Sequence, residues 1–233
     1  MDLFGGFSVN NIVDKKQRVL NFLHSHPGLF SEEEKNFILE YLFYSNEFIP
    51  NIARQVYDEL GLLSDDNNLY LGFLNLLQGI HNIEDKHILE VGGGVIPRLG
   101  KRILKLQNKG LITIYDPKLN SYEKSTSKFI LKREKFHSNT DVSEADLLVG
   151  LMPCEAAFDI VDSATKNRKD FVIALCEGGY HGDFFDYYED EDEWMNSLLI
   201  FARRRAERYD IGKIKTKSLD KYYDPCPVIY NER

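Results

Sequence analysis

The sequence predicts an α/β protein: a doubly wound, mostly parallel sheet preceded by a helical domain. Residues 1–84 show helical periodicity, whereas from residue 85 short apolar runs alternate with helical stretches. Such alternation is typical of βαβ units with parallel strands. The last two apolar runs, 212–220 and 226–232, have no helix between them, which indicates an antiparallel pair at one edge. We therefore expect a domain boundary between residues 84 and 85.

Four helices are expected in the first domain. Val19, Leu20 and Leu23 lie on one helical stripe that ends at Pro27. The spacing of Ser and Glu over residues 31–34 is that of a capping box, and it predicts the start of a second helix. A third helix is expected over 50–61 and a fourth over 65–83. These helices would serve as a substrate lid, a homodimer contact or a cover for one face of the sheet, with core packing as the default.

The second domain contains the strand-like runs and three further helices. The strands are expected over 87–93, 111–117, 129–136, 145–153, 170–179, 212–220 and 226–232. Helices are expected over 97–107, 155–168 and 191–209. The last helix places Trp194, Leu198 and Phe201 on one side at helical spacing.

Composition indicates a soluble cytoplasmic protein. No apolar run among the 233 residues reaches the roughly 18 needed to cross a bilayer, and the first residues lack the pattern of a signal peptide. Three cysteines, Cys154, Cys176 and Cys226, are too few and too widely spaced for a disulfide framework or a CxxC metal site. We expect no metal site and no membrane association.

Charge is unevenly distributed along a chain whose net charge is −8. Residues 98–135 carry eleven Lys or Arg against three acids, and residues 203–221 carry eight against three. Residues 177–193 hold eight acids and no Lys or Arg. These segments are either solvated faces or a basic surface for an anionic substrate beside an acidic segment that lines a cleft.

Gly92, Gly93 and Gly94 lie between a buried strand and the start of a helix. In a doubly wound sheet, ligands bind at the carboxyl ends of the strands, where the strand order reverses. A dinucleotide fingerprint needs a further glycine at position 97, where this chain has Pro97. Because proline also removes a backbone donor, the loop is not a typical pyrophosphate site, and it lacks the Gly-Lys-Ser/Thr of a P-loop.

Asp116 follows the next strand, 22 residues after Gly94. A carboxylate at this position accepts hydrogen bonds from ribose hydroxyls in nucleoside-binding sheets. The alternative is a turn residue, since Asp-Pro is a common turn starter. The glycine loop and Asp116 together favour a nucleoside ligand without phosphates.

These residues resemble the first motifs of class I S-adenosylmethionine-dependent methyltransferases. Glu90-Val91-Gly92-Gly93-Gly94 is similar to that family's acid-x-Gly-x-Gly motif, and Asp116 falls where the family has its ribose-binding acid. The run 145–150 resembles the fourth strand of the family. The resemblance covers about residues 85–233 and implies a seven-stranded sheet with an antiparallel last strand.

The resemblance also implies a cofactor, S-adenosylmethionine, and roles for particular residues. Cofactor contacts fall on Glu90, Gly92, Gly93, Gly94, Asp116 and Gly150. Glu90 would orient the loop backbone or the ligand's ammonium group. The chain departs from the base-amine methyltransferases of the family, because Met152-Pro153-Cys154-Glu155 replaces their Asn/Asp-Pro-Pro-aromatic motif. Glu155 and Glu177 are then the candidate catalytic bases, although a helix-terminal acid is the ordinary role for Glu155.

Three functions remain open from the sequence. The first is methyl transfer to an acceptor that is either a small molecule or structured RNA. The second is aminocarboxypropyl transfer, because residues 92–97 also resemble the Gly-x-Gly-Pro-Leu-Pro loop of nicotianamine synthase-like proteins, which carry an N-terminal helical domain. The third is a non-catalytic binding protein with a methyltransferase-like fold.

Overall fold

The computed structural model describes residues 9–43, 51–63, 69–175, 191–219 and 226–233. The chain forms two compact units, residues 1–68 and residues 69–233. The sequence places the boundary sixteen residues later because residues 65–83 have the same helical periodicity as the segments before them.

The first unit consists of helices. They are α1 (Val9–Ser25), α2 (Glu32–Glu40) and α3 (Asn51–Glu59), with a single 3₁₀ turn at Tyr41–Phe43. The capping box at the start of α2 is confirmed: Ser31 accepts from the backbone of Glu34, whose carboxylate accepts from the Ser31 N–H. The Tyr57 hydroxyl on α3 donates to the Ile38 carbonyl on α2, so these two helices are tied by a buried hydrogen bond.

The second unit begins with helix α4 (Leu69–Ile80) and then alternates strands with helices. The order is β1 (His87–Val91), α5 (Arg98–Leu106), β2 (Leu111–Tyr115), β3 (Phe129–Lys132), β4 (Leu147–Leu151), α6 (Ala157–Lys166), β5 (Asp170–Ala174), α7 (Glu191–Tyr209), β6 (Lys213–Ser218) and β7 (Pro227–Glu232). A 3₁₀ turn, Cys154–Ala156, precedes α6. Each expected strand and helix of this unit is present.

The seven strands form one sheet in the order β3-β2-β1-β4-β5-β7-β6. Strands β1 to β5 are mutually parallel, and β7 is antiparallel to both of its neighbours, β5 and β6. This arrangement confirms the predicted fold class, including the antiparallel last strand. The direction of strand order reverses between β1 and β4, so a ligand crevice is expected at their carboxyl ends.

Helices cover both faces of the sheet because the strands alternate their buried side chains. On one face, Ile88 of β1 and Ile112 of β2 share a core with Phe73 of α4 and Ile103 of α5. On the other face, Leu89 of β1 packs with residues of α6 and α7. Helix α4 therefore belongs to the core of the sheet.

Among the described residues, no helix is both long and apolar enough to cross a membrane.

Candidate functional site

The glycine loop leaves the carboxyl end of β1 at the reversal of strand order. Gly92 and Gly94 have positive φ values, 83° and 70°. Residues with a side chain rarely adopt this conformation, so glycine is favoured at both positions. The Gly92 N–H donates to the carbonyl of Tyr115 at the end of β2, at 3.0 Å, which continues the β1–β2 pairing into the loop.

Two of the glycines also allow close packing. A Cβ at Gly92 would lie 3.0 Å from Cα of Pro153, which follows β4. A Cβ at Gly93 would lie 2.5 Å from Cγ2 of Ile114 on β2. The loop is therefore held between the ends of three strands, and Gly93 has a packing role in addition to the cofactor contact that the resemblance implies.

Asp116 lies directly beside the glycine loop. Its Oδ2 accepts from the Gly94 N–H at 2.8 Å, and its Oδ1 accepts from the Lys118 N–H at 2.7 Å. The sequence therefore identified two positions that meet in space, the loop and the acid after β2. The carboxylate orients the loop, and each of its oxygens keeps a further lone pair that can accept from a ligand hydroxyl.

Asn120 is a residue of this site that the sequence did not reveal. It is buried, with 7 % of its surface exposed. Its backbone N–H and its side-chain Nδ2 both donate to the Val95 carbonyl, at 3.1 and 2.6 Å. The Asn120 carbonyl accepts from both Nε and Nη2 of Arg133, just after β3. Consecutive residues of the loop, Gly94 and Val95, are thus held by Asp116 and Asn120.

Glu90 is buried beneath the loop, with 2 % of its surface exposed. Burial raises the pKa of its carboxyl from 4.5 to about 8; the backbone N–H of Gly100 acts in the opposite direction, and the charge of Asp116 adds to the rise. Within the described part of the chain, Oε2 has no hydrogen-bond partner. A Cβ at Gly100 would lie 2.6 Å from this oxygen, so the carboxyl is packed against the first turn of α5.

The segment after β4 has an unusual backbone. Met152 and Cys154 both have positive φ values, 55° and 47°, although neither is glycine. Residues held in this region are enriched at ligand sites, where surrounding structure enforces them. Gly150, which the resemblance implied as a cofactor residue, is buried in β4, and a Cβ there would lie 2.8 Å from Cγ of Pro153. Packing is sufficient to explain this glycine.

The structure describes one of the two candidate bases, Glu155. Glu155 lies in the 3₁₀ turn after β4, with 40 % of its side chain exposed, and forms an ion pair with Lys135 at 3.1 Å. This ion pair joins the segments that follow β3 and β4. Glu177 lies outside the described residues, so its prediction stays untested.

The loop is suited to a nucleoside rather than to phosphates. An anion cradle needs several free backbone N–H groups that converge on one point. Here the Gly92 and Gly94 N–H groups donate to Tyr115 and Asp116, and Pro97, the N-cap of α5, has no N–H. Within the described part of the chain, no group of three or more His, Cys, Asp or Glu side chains is placed to hold a metal.

A polar cavity of about 460 Å³ lies where the parallel strands begin, at the end of the sheet opposite to the glycine loop. It is lined by Asp146, Asp170 and Arg233, among others, and Arg233 forms an ion pair with Asp170 at 2.8 Å. The cavity is remote from the glycine loop, so its charged groups play no part in the candidate site.

The chain matches no family model and no curated protein sequence. It is similar to several solved structures. One is Aeropyrum pernix fibrillarin with natively bound S-adenosylmethionine, at 15 % identity over 66 % of this chain and 71 % of that chain, with a TM-score of 0.47. A second is an S-adenosylmethionine-dependent methyltransferase from Aquifex aeolicus, at 17 % identity over 74 % and 96 %, with a TM-score of 0.47.

A third is precorrin-6y C5,15-methyltransferase from Geobacter metallireducens, at 11 % identity over 82 % of this chain and 99 % of that chain, with a TM-score of 0.48. At these identities the similarities concern the fold alone.

Proposed function

We propose that the protein is an S-adenosylmethionine-dependent methyltransferase. The observation that carries the proposal is the contact between Gly94 and the carboxylate of Asp116, at the point where the strand order reverses. It supports a nucleoside site because it places a ribose-type acceptor next to a loop whose glycines permit close approach. The engaged N–H groups and Pro97 argue against a dinucleotide.

The residues of the site would share the work of binding. Asp116 would accept hydrogen bonds from the ribose, and Gly92 and Gly94 would give the amino acid tail access to the backbone. Glu90 would support the loop and the first turn of α5 from below, which is the backbone-orienting role that the resemblance implied. When bound, the cofactor supplies an electrophilic methyl group on a sulfonium, so the protein mainly contributes positioning and a path for the acceptor's proton.

Glu155 and Glu177 remain the proposed bases, and the acceptor remains either a small molecule or RNA. The Glu155–Lys135 ion pair supports a role at the rim, because an exposed pair contributes little stability and rearranges easily when a substrate binds. The cytoplasmic location, which the odd number and wide spacing of the three cysteines indicate, stays part of the proposal.

Calorimetric titration with S-adenosylmethionine and S-adenosylhomocysteine tests the proposal directly. Asp116→Ala should weaken binding by about 1–3 kcal/mol, because two ribose hydrogen bonds and the loop contact are lost. Asp146→Ala is the matched control. Its Oδ2 accepts from the His87 N–H at 2.8 Å, so Asp146 contacts the start of β1, whereas the glycine loop follows the end of β1. Loss of this carboxylate should leave the affinity for S-adenosylmethionine unchanged.

Equal affinity of the Asp116→Ala variant and the unaltered protein would place the nucleoside site elsewhere. Absence of binding at millimolar ligand would leave the non-catalytic interpretation. The product then separates the two enzymatic functions, since methyl transfer leaves S-adenosylhomocysteine and aminocarboxypropyl transfer leaves methylthioadenosine.

A further inference from the structure

The positive charge of residues 98–135 is concentrated on the β3 side of the sheet. Six lysines in this stretch are exposed and form no ion pair with a described residue: Lys105, Lys109, Lys118, Lys124, Lys128 and Lys132. We call them the β3-edge lysines. The same stretch has three acids. Asp116 accepts from the Gly94 N–H, Glu123 forms an ion pair with Lys101, and Glu134 is exposed.

The fold brings these lysines to one margin of the molecule. Strand β3 is the edge of the sheet, and Lys132 is its last residue. The loop before β3 carries Lys124 and Lys128, and the Lys128 amine donates to the carbonyl of Asn108, close to Lys109. Lys118 lies at the carboxyl end of β2, two residues from Asp116. The lysines therefore extend from the start of the strands to the glycine-loop end.

Protection of an edge strand explains only part of this pattern. Exposed lysines on an edge discourage pairing with another chain. However, Lys132 is the one β3-edge lysine that lies within β3; the other five lie on α5 or in loops. A net charge of +8 over residues 98–135 in a chain whose net charge is −8 also exceeds what edge protection requires.

We propose that the β3-edge lysines bind the phosphate backbone of single-stranded RNA and lead it to the cofactor site. The proposal rests on the proposed function and names the acceptor class for it. Strand β3 has four residues and spans roughly 13 Å, about the length of four stacked nucleotides. Beyond the carboxyl end of β3, the Lys135–Glu155 ion pair connects this margin to the segment after β4.

Two features favour single-stranded RNA over other polyanions. Tyr122, 48 % exposed, lies in the loop between Lys118 and Lys124, and an aromatic ring among lysines is suited to stack an unpaired base. Direct reading of duplex DNA needs a helix or a two-stranded ribbon that enters the major groove. Of the β3-edge lysines, only Lys105 lies on a helix, in the last turn of α5, and the other five lie on the edge strand or in loops.

The test is binding of a fluorescently labelled 20-nucleotide single-stranded RNA, followed by anisotropy across a salt series. In the unaltered protein, the logarithm of the binding constant should fall linearly with the logarithm of salt, by about 0.7 per phosphate contacted. The triple variant Lys124→Glu, Lys128→Glu, Lys132→Glu should bind at least tenfold more weakly, and its slope should be shallower by about 2.

The matched control reverses three exposed lysines on the other edge strand: Lys213→Glu, Lys215→Glu and Lys217→Glu on β6. It changes the net charge by the same amount and should bind RNA within about threefold of the unaltered protein. Equal losses in both variants, or a loss in neither, would overturn the proposal. So would a duplex DNA, an acidic peptide or anionic vesicles that bind more tightly than the RNA and depend on the same three lysines.

Titration of S-adenosylmethionine into the same variants separates this inference from the proposed function. Both triple variants should retain the affinity of the unaltered protein for the cofactor. Of the altered residues, Lys132 accepts from the Asp116 N–H, but it does so through its backbone carbonyl, which the substitution keeps. If RNA binding depends on the β3-edge lysines but the protein does not bind S-adenosylmethionine, the RNA-binding proposal is supported and the methyltransferase proposal is overturned. If the protein binds S-adenosylmethionine but not RNA, the methyltransferase proposal is supported and the RNA-binding proposal is overturned.

Discussion

At the scale of single residues, Glu90 is the group whose behaviour depends most on its surroundings. It lies between the sheet and α5, shielded from solvent, and its Oε2 has no partner among the described residues. An ionised carboxylate in such a place is costly, so the neutral form is favoured. Its pKa of about 8 means that Glu90 is mostly protonated at neutral pH in the folded chain.

Glu90 should make the folded protein less stable as pH rises. The unfolded carboxyl titrates near 4.5 and the folded one near 8, so between these values the folded state binds more protons than the unfolded state. The free energy of unfolding then falls with pH across this window, by up to about 1.4 kcal/mol per unit, and levels out above it. Glu90→Gln should flatten this fall, as measured by urea denaturation between pH 5 and pH 9.

Glu144 is exposed, so the Glu144→Gln variant is the control for that measurement. Its free energy of unfolding should fall with pH at the same slope as that of the unaltered protein. A slope in the Glu90→Gln variant that equals the slope of the unaltered protein would show that another group is responsible.

The sequence identified which residues meet at the loop, but not how tightly they pack. Glycines between a strand and a helix, and an acid at the end of the next strand, are local patterns with a physical reason, and both lie where they were expected. The need for glycine at position 100 is not local. A Cβ there would lie 2.4 Å from Cδ1 of Ile114, a contact that depends on how α5 sits on β2.

At the scale of elements, the segment after β2 holds the glycine loop in place, and we call this arrangement the bracket. It is held in turn by Arg133, which donates to the carbonyls of Asn120 and Glu123. Periodicity, caps and proline positions predict where helices and strands lie, because these are local effects. They do not predict this bracket, because Asn120 and Val95 are 25 residues apart and neither belongs to a helix or strand.

Loss of Asn120 should weaken cofactor binding more than general destabilisation explains. Asn231 is the matched comparison: it is also a buried asparagine, its Oδ1 accepts from the Phe171 N–H, and its Nδ2 donates to the Ile211 carbonyl. Asn120→Ala and Asn231→Ala should each reduce the free energy of unfolding by about 1–3 kcal/mol. Only Asn120→Ala should also raise the dissociation constant for S-adenosylmethionine, by roughly tenfold, or about 1.4 kcal/mol.

Calorimetric titration with S-adenosylmethionine, at a temperature below the unfolding transition of both variants, measures that difference in dissociation constant. If both asparagine variants bind the cofactor equally well, the bracket does not organise the loop, and Asn120 is only structural.

At the scale of the whole molecule, the alternation of strands and helices was sufficient to predict the sheet. Parallel strands buried on both faces give apolar runs that are easily found, and the absence of a helix between the last two runs predicted their antiparallel pairing. Helix α4 is harder to assign from sequence. Its periodicity matches that of the preceding helices, while its contacts with the sheet are visible only in three dimensions.

The contacts of α4 lead to a prediction about fragments of the chain. Its buried residues, Leu69, Tyr70, Phe73, Leu74 and Leu77, belong to the same core as Ile88 and Ile112. Each large apolar side chain buried in this way contributes about 1.5–3 kcal/mol relative to exposure, so the five together contribute an amount comparable to the whole net stability of a typical domain. A fragment of residues 69–233 should therefore unfold cooperatively on heating.

A fragment of residues 85–233, which begins at the boundary that the sequence indicates, should aggregate or bind a hydrophobic dye. Both fragments lack residues 1–68, so the comparison isolates the helix. Equal stability of the two fragments would mean that the sheet core is complete without α4 and would support a domain boundary between residues 84 and 85.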